Sequence, residues 1–391
     1  MNIAFFCIPA HGHTNPTLAV VRELTARGHT VRYYTTEAFR AKVEAAGAVF
    51  VPFDTEAARP GMTAADGARL GSDLAFSTKL IVDLTLADDD WLSRELTAHR
   101  PDVIVGDSMA FWAKLAAKKH GIPFVSSTTT FAFNRFSAKV IGQNGAGFLQ
   151  FLLAQPRINR QLKRLRAAGY AVKSVFDIIA NDNETETVVY TSPDFQPCAD
   201  TFSEKYHFVG PLLRPAQSSF EKLPGRSLIC ISLGTVNNDA LPFYRACLAA
   251  FGGDPRFQLV LSAGTQTDLA ALGPIPESCT VRASVDQMAV LDCADVFLTH
   301  CGMNSASEGL WHGLPLVLYP QTPEQHGVAN RVAALGAGVP LTDPSADGIR
   351  RAVETALTDP AYRENAQKLA GSFRRCGGAA EAADAIEHAA N

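Results

Sequence analysis

The chain predicts an α/β protein of two doubly wound parallel-sheet domains. Three observations carry this. The first 52 residues alternate strand, helix, strand, helix, strand, an order that requires parallel pairing through helical crossovers. The same pattern restarts at Ser227, after a Pro- and Ser-containing stretch. Each half opens with an apolar strand that runs into a Gly-containing turn and then a helix. A length of 391 residues allows two such cores.

Taken in order, Ile3–Ile8 reads as a buried strand and Pro9–His13 as a turn. Thr14–Arg27 is helical, with Leu18, Val21 and Leu24 at helical spacing and Gly28 as its stop. Strands at 30–35 and 48–52 flank a helix over 37–46. Residues 54–75 lose the pattern and read as a mobile loop. Asp88-Asp89-Asp90 reads as a solvated cap for a helix starting at Trp91, in preference to an Asp-x-Asp metal site, because no strand precedes it. A strand over 101–107 ends on an acid, Asp107, and a helix follows over 108–120. In the second half, strands are expected at 227–232, 258–262, 279–282, 296–299 and 316–319.

Composition narrows the function classes. Apolar residues make up 47% and charged residues 19%, the balance of an ordinary globular protein. A net charge of −4 gives no electrostatic reason to expect nucleic acid. The eight cysteines (Cys7, Cys198, Cys230, Cys247, Cys279, Cys293, Cys301 and Cys376) form no CxxC pair and read as reduced thiols of a cytoplasmic protein. No apolar run reaches the about 18 residues of a membrane span, and the first basic residue, Arg22, follows the apolar start, so no signal peptide is expected. A monomer or weak homodimer is expected, and no metal site.

The most informative stretch is Val296–Gln325, VFLTHCGMNSASEGLWHGLPLVLYPQTPEQ. A helix beginning at a Gly turn off a strand presents backbone N–H groups and the positive end of its dipole, which suits a diphosphate. His300, Cys301, Gly302, Asn304, Ser305, Glu308, Gly313, Pro315, Glu324 and Gln325 match, at fixed spacing, the C-terminal half of the plant secondary-product glycosyltransferase box. The chain resembles bacterial macrolide- and flavonoid-type nucleotide-sugar glycosyltransferases over nearly its whole length. The resemblance implies the GT-B fold, two Rossmann-like domains facing a central cleft. It places an N-terminal acceptor domain at 1–213, a linker at 214–226, a nucleotide-sugar domain at 227–375, and a helix at 376–391 that packs back on the N-terminal domain.

The resemblance also assigns roles on the donor side. His300, Gly302, Asn304 and Ser305 would hold the diphosphate, with Thr235 of the SLGT turn on its other side. Glu308 would accept hydrogen bonds from the ribose hydroxyls, and Glu324 and Gln325 would meet the sugar. Residues 282–291, RASVDQMAVL, align with the first half of the box but depart from it. Ser284 stands where a Trp stacks on the base, and Asp286 replaces a Pro. Val285 would contact the base through its backbone and Gln287 the ribose. Met303 also replaces a Trp. No tightly bound cofactor is implied; UDP-glucose or a related UDP-hexose is the expected donor co-substrate.

On the acceptor side, His13 in PAHGHTNP matches the family's catalytic His. Asp107 ends another strand of the same expected sheet, so both lie at its carboxyl edge. Neutral imidazole suits proton removal from an acceptor hydroxyl, and a carboxylate behind it fixes the tautomer. Asp107 also reads as an N-cap for the following helix. His11 forms a His-x-His pair with His13, but no third metal ligand stands out nearby, so it reads as bordering the pocket. Phe131, Phe133, Asn134 and Phe148 suit an apolar acceptor cleft, or the aromatics suit an ordinary core. The expected reaction is inverting transfer of a hexose, glucose first, to a hydroxyl of a flavonoid, polyphenol or macrolide. The rivals are a TDP-deoxysugar transferase, a carotenoid or lipid glucosyltransferase, and a non-catalytic sugar-nucleotide-binding protein.

Overall fold

In this computed structural model the described residues are 1–53, 73–137, 147–179, 183–234 and 238–391, without the side chains of 147–153. The expected loop therefore lies, over 54–72, outside the described residues, as does Thr235. The chain divides into two compact units. The first holds Met1–Tyr190, Cys198–Leu212 and Gly377–Asn391; the second holds Thr191–Pro197 and Leu213–Cys376. The short segment Thr191–Pro197 thus leaves the N-terminal unit, in which the sequence reading had kept it.

The first unit is built on a seven-stranded sheet. Its strands are β1 (Asn2–Phe6), β2 (Thr30–Thr35), β3 (Val49–Pro52), β4 (Val103–Asp107), β5 (Phe124–Thr128), β6 (Glu186–Val189) and β7 (Tyr206–Phe208). Their order is β3-β2-β1-β4-β5-β6-β7. All pairs are parallel, with Ile3 beside Val31 on one side and Val103 on the other. Strands covered on both faces read as continuous apolar runs, as Ile3–Phe6 and Val103–Val105 do. The order reverses between β1 and β4, which opens a crevice beyond their carboxyl ends.

The helix Gly378–Ala390 completes this unit. Ala382, Ala383, Ala385 and Ile386 join the core formed by β1, β2 and the helix His11–Ala26. Arg27 bonds Asp384 at 2.6 Å and Glu387 at 3.0 Å, and His29 Nε2 lies 2.6 Å from Glu387. Burying Ile386 alone contributes ~1.5–3 kcal/mol.

The second unit holds β8 (Ser227–Ser232), β9 (Phe257–Ser262), β10 (Cys279–Arg282), β11 (Val296–Thr299), β12 (Leu316–Leu318) and β13 (Gly338–Pro340). The order is β10-β9-β8-β11-β12-β13, again parallel, with the reversal between β8 and β11. Both sheets therefore present the turns after their two central strands at a switch point.

One sequence expectation is corrected here. Asp88–Asp90 do not precede a helix; they lie well inside the helix Leu74–His99, which Asp73 caps by accepting the Phe76 N–H at 3.0 Å. Asp89 instead pairs with Lys119 at 2.6 Å and accepts the Tyr170 hydroxyl at 2.7 Å. Tertiary partners override the capping preference of the acid run.

Candidate active site

The first unit brings His13 and Asp107 together. His13 lies in the first turn of the helix that follows β1, and Asp107 closes β4. His13 Nδ1 stands 2.7 Å from Asp107 Oδ2, with the carboxylate side chain fully buried and the imidazole 18% exposed. The other carboxylate oxygen, Oδ1, accepts the Met109 N–H at 2.8 Å. The expected helix cap is not met: the helix starts at Phe111 with Ala110 as its cap residue and no side-chain cap, and Asp107 Oδ1 instead holds the preceding turn while Oδ2 meets the imidazole. A carboxylate at this distance accepts from Nδ1–H, which leaves the ring's lone pair on Nε2.

A third side chain, which the sequence reading did not single out, reaches the same nitrogen. Thr129 Oγ1 lies 2.9 Å from His13 Nδ1 and is 3% exposed. It follows β5 directly, next to β4 in the sheet. The run Thr128-Thr129-Thr130 at a strand's carboxyl end was the available signal.

The other acceptor-side residues scatter. His11 turns to Phe39, at a ring-centroid distance of 5.0 Å, and to Lys42 Nζ, 3.4 Å from its Nδ1. Its pKa is lowered by burial and by the Lys42 charge. Phe131 is core, at 3% exposed, whereas Phe133 is 47% exposed. Asn134 holds its own loop: its amide donates to Thr201 Oγ1 at 2.8 Å, and its oxygen accepts the Phe136 and Ser137 N–H groups at 2.9 Å. The Phe148 side chain lies outside the described residues.

In the second unit the described donor-side residues follow β10, β11 and β12. His300 directly follows β11 and sits between two glycines. A Cβ on Gly234 or on Gly302 would lie 2.6 Å from His300 Nε2, so both positions require glycine for the ring to fit. Gly234 also has φ of +80°, which independently favours glycine. Burial pushes the His300 pKa down to about 4, so the ring is neutral near pH 7. Its Nδ1 is buried and has no hydrogen-bond partner among the described residues. The next residue, Cys301, holds a left-handed φ of 63°, supported by Thr299 Oγ1, which accepts its N–H at 3.2 Å. Such a backbone costs about 1–3 kcal/mol and persists where its surroundings enforce it.

Gly302 then caps the helix Met303–Trp311 without a side-chain oxygen. Met303 is buried, and Asn304 and Ser305 are half-buried on the first turn. Glu308 follows one turn on and accepts the Gln287 amide. Part of the Glu308 residue remains accessible, but its carboxyl is enclosed, and burial pushes its pKa up against the Gln287 bond and the Arg214 charge. A neutral imidazole nitrogen without a partner, a helix amino end and an enclosed carboxylate suit a phosphate and a diol.

Asp286 has a function the motif alignment did not suggest. Its carboxylate accepts Arg214 Nη1 at 2.9 Å, the Gln217 and Ser218 N–H groups at 2.6 and 2.9 Å, and Ser218 Oγ at 3.1 Å. Residues 214–218, expected as a linker, are thereby pinned beside Gln287. Ser284 is exposed and Val285 half-buried in the turn before the helix Gln287–Cys293. Glu324 and Gln325 open the helix Pro323–Ala334, where Glu324 is exposed. The Gln325 side-chain oxygen accepts the Gln321 and Thr322 N–H groups at 2.8 and 3.2 Å, in a capping box. That oxygen serves its own helix.

Among the described residues, no group of three or more His, Cys, Asp or Glu side chains gathers as a metal set, and no helix is long and apolar enough to cross a membrane.

Known proteins bear on this geometry. Residues 257–387 match the family described as Erythromycin biosynthesis protein CIII-like, C-terminal domain. The chain is 33% identical to the NDP-glycosyltransferase YjiC of Bacillus licheniformis, over 99% of this chain and 97% of that protein. It is also 33% identical to the demethyllactenocin mycarosyltransferase of Streptomyces fradiae, over 99% and 86% of the two chains. Among solved structures, the glycosyltransferase of kitacinnamycin superposes with a TM-score of 0.86 at 31% identity, covering 99% of this chain and 98% of that one. The chain belongs to the bacterial natural-product glycosyltransferases, enzymes of the GT-B fold that use a nucleotide sugar as donor.

Proposed function

We propose that this enzyme transfers a hexose, glucose in the first instance, from a UDP-sugar to a hydroxyl of an apolar small molecule of flavonoid, polyphenol or macrolide type, with inversion at the anomeric carbon. The observation that carries the reading is the 2.7 Å contact between His13 Nδ1 and the buried Asp107 carboxylate. A sugar-binding protein without chemistry has no need of an imidazole oriented as a base. In the proposed step His13 Nε2 takes the hydroxyl proton as the acceptor oxygen bonds to the anomeric carbon. The bond from that carbon to the nucleotide diphosphate breaks, and the diphosphate leaves with the electron pair. Asp107 stabilises the imidazolium. The amino end of the helix Met303–Trp311, with Asn304, Ser305 and the neutral His300 as donors, holds the departing diphosphate. Glu308 and Gln287 take the ribose, and Val285 the base. Glu324 and Gln325 meet the sugar.

A TDP-sugar donor with fewer hydroxyls is the second reading. One observation favours it: the Gln325 oxygen is engaged by its own helix, which leaves fewer acceptors for sugar hydroxyls; the exposed Ser284 offers neither base an aromatic platform. A donor panel of UDP-glucose, TDP-glucose, UDP-glucuronate and a TDP-deoxyhexose, each in its own reaction with phenolic and macrolide acceptors with and without EDTA, separates the two by which donor yields an adduct, read by product mass. A hexose adduct from UDP-glucose that survives EDTA is the expected result. His13→Ala is expected to abolish transfer while UDP affinity, measured by calorimetry, stays within about twofold. Retained transfer would remove His13 as the base.

A further inference from the structure

The hydrogen-bonding arithmetic at His13 Nδ1 has a consequence for Thr129. An imidazole nitrogen carries either a proton or a lone pair. Asp107 Oδ2 stands 2.7 Å from Nδ1, and a carboxylate has only lone pairs to offer, so Nδ1 carries the proton. Thr129 Oγ1, 2.9 Å from the same nitrogen, must then accept as well, in a three-centre bond, and directs its own hydroxyl proton elsewhere. We infer that Thr129 is a positioning residue for the base: together with Asp107 it fixes the imidazole's rotation and tautomer, and it supports the imidazolium formed when the acceptor hydroxyl is deprotonated. This rests on the assignment of His13 as base.

The surroundings fit that task. Thr129 is buried at the carboxyl end of β5, so its hydroxyl is screened from water, and a hydrogen bond there is stronger than at a surface. Two acceptors converge on Nδ1–H from neighbouring strand ends, β4 and β5, so the ring is held from two directions. Among the described residues, the titratable groups coupled to Asp107 besides His13 include Cys7 on the strand side and Tyr190 directly after β6; burial pushes both upward, and they stay neutral across the working range. On the helix that carries His13, His11 and the facing Lys42 point to each other. The Asp107 carboxylate therefore supplies the negative charge at Nδ1, and Thr129 adds a neutral oxygen that holds the geometry.

Thr129→Val keeps the shape and removes the oxygen; Thr129→Ser keeps the oxygen. Thr129→Val is expected to lower kcat about tenfold, the scale of one lost hydrogen bond to an ionising group, with UDP affinity and acceptor KM unchanged. The acidic limb of its kcat profile is expected to move to lower pH, because imidazolium with one acceptor fewer gives up its proton more readily. Thr129→Ser is expected to recover wild-type kcat within about twofold. Thermal melting confirms that both variants fold. Wild-type kcat and an unmoved limb in Thr129→Val would overturn the inference, as would a Ser variant no better than Val, which would make the role one of packing. The imidazole Nδ1–H proton resonance, read without substrate, keeps the two assignments apart. If His13→Ala retains transfer, the base assignment falls, while a resonance displaced in Thr129→Val and restored in Thr129→Ser still establishes that Thr129 holds the ring.

Discussion

Asp107 divides its two oxygens between a turn and an imidazole, and an amide cannot do both. Asp107→Asn has one acceptor oxygen. If that oxygen takes the Met109 N–H, the amide N–H₂ faces Nδ1 and forces the tautomer with the proton on Nε2, where the proposed base needs a lone pair. The expected result is a fall in kcat of about a hundredfold or more with near wild-type melting, whereas Asp107→Ala should lose stability as well. Steady-state rates and melting curves check both. His300 yields a pH prediction. Its pKa drops from 6.5 in the unfolded chain to about 4 in the fold. The unfolded state thus binds the proton first as pH falls, so this contribution to stability is complete above about pH 6.5 and is lost as pH falls toward 4. The full difference is about 3 kcal/mol. The raised Glu308 carboxyl acts in the opposite sense, since it favours the protonated fold and is lost as pH rises. Denaturant unfolding of wild type and His300→Gln at pH 7 and pH 4 isolates the histidine: the wild type should lose more, by about this amount. Equal losses would refute the burial assignment.

Element by element, the parts legible in the sequence are those set by local chemistry. Val296–Thr299, Cys279–Arg282 and Ser227–Ser232 fall where their apolar runs put them. Others depend on partners distant in sequence. The acid run at 88–90 continues a helix because Lys119 and Tyr170 receive Asp89. Strand β13 is three residues long and ends on Pro340, too short for a period to show. The pairing of His13 with Asp107 was legible because both end up at one carboxyl edge; Thr129 was not, since a threonine after a strand has many ordinary uses. Asp286 likewise looked like the loss of a proline until its four bonds to residues 214–218 were located. Asp286→Ala should release that segment, with faster amide exchange at Gln217 and Ser218 and a stability loss of about 1–3 kcal/mol. Unchanged exchange over 214–218 would mean that the clamp is held by other contacts.

For the molecule as a whole, the chain leaves the first unit at Leu212 and returns to it at Gly377. The two ends lie close together, because the Gly378 N–H donates to Val209 O at 3.1 Å. A fusion of residues 1–212 to 377–391 through a short flexible link should therefore melt at a higher temperature than 1–212 alone, by several degrees if the helix contributes about 2–4 kcal/mol. Equal melting would show that the first unit does not depend on its returning helix. The same connectivity sets an order of assembly during synthesis. The first unit emerges early but lacks Ala382, Ala383 and Ile386 of its core until the 164 intervening residues, 213–376, have been translated. At ribosomal speeds that interval is roughly 8–30 s. Throughout it the nascent first unit exposes an apolar strip beside β1 and the helix His11–Ala26, and the domain made first is the one that is completed last.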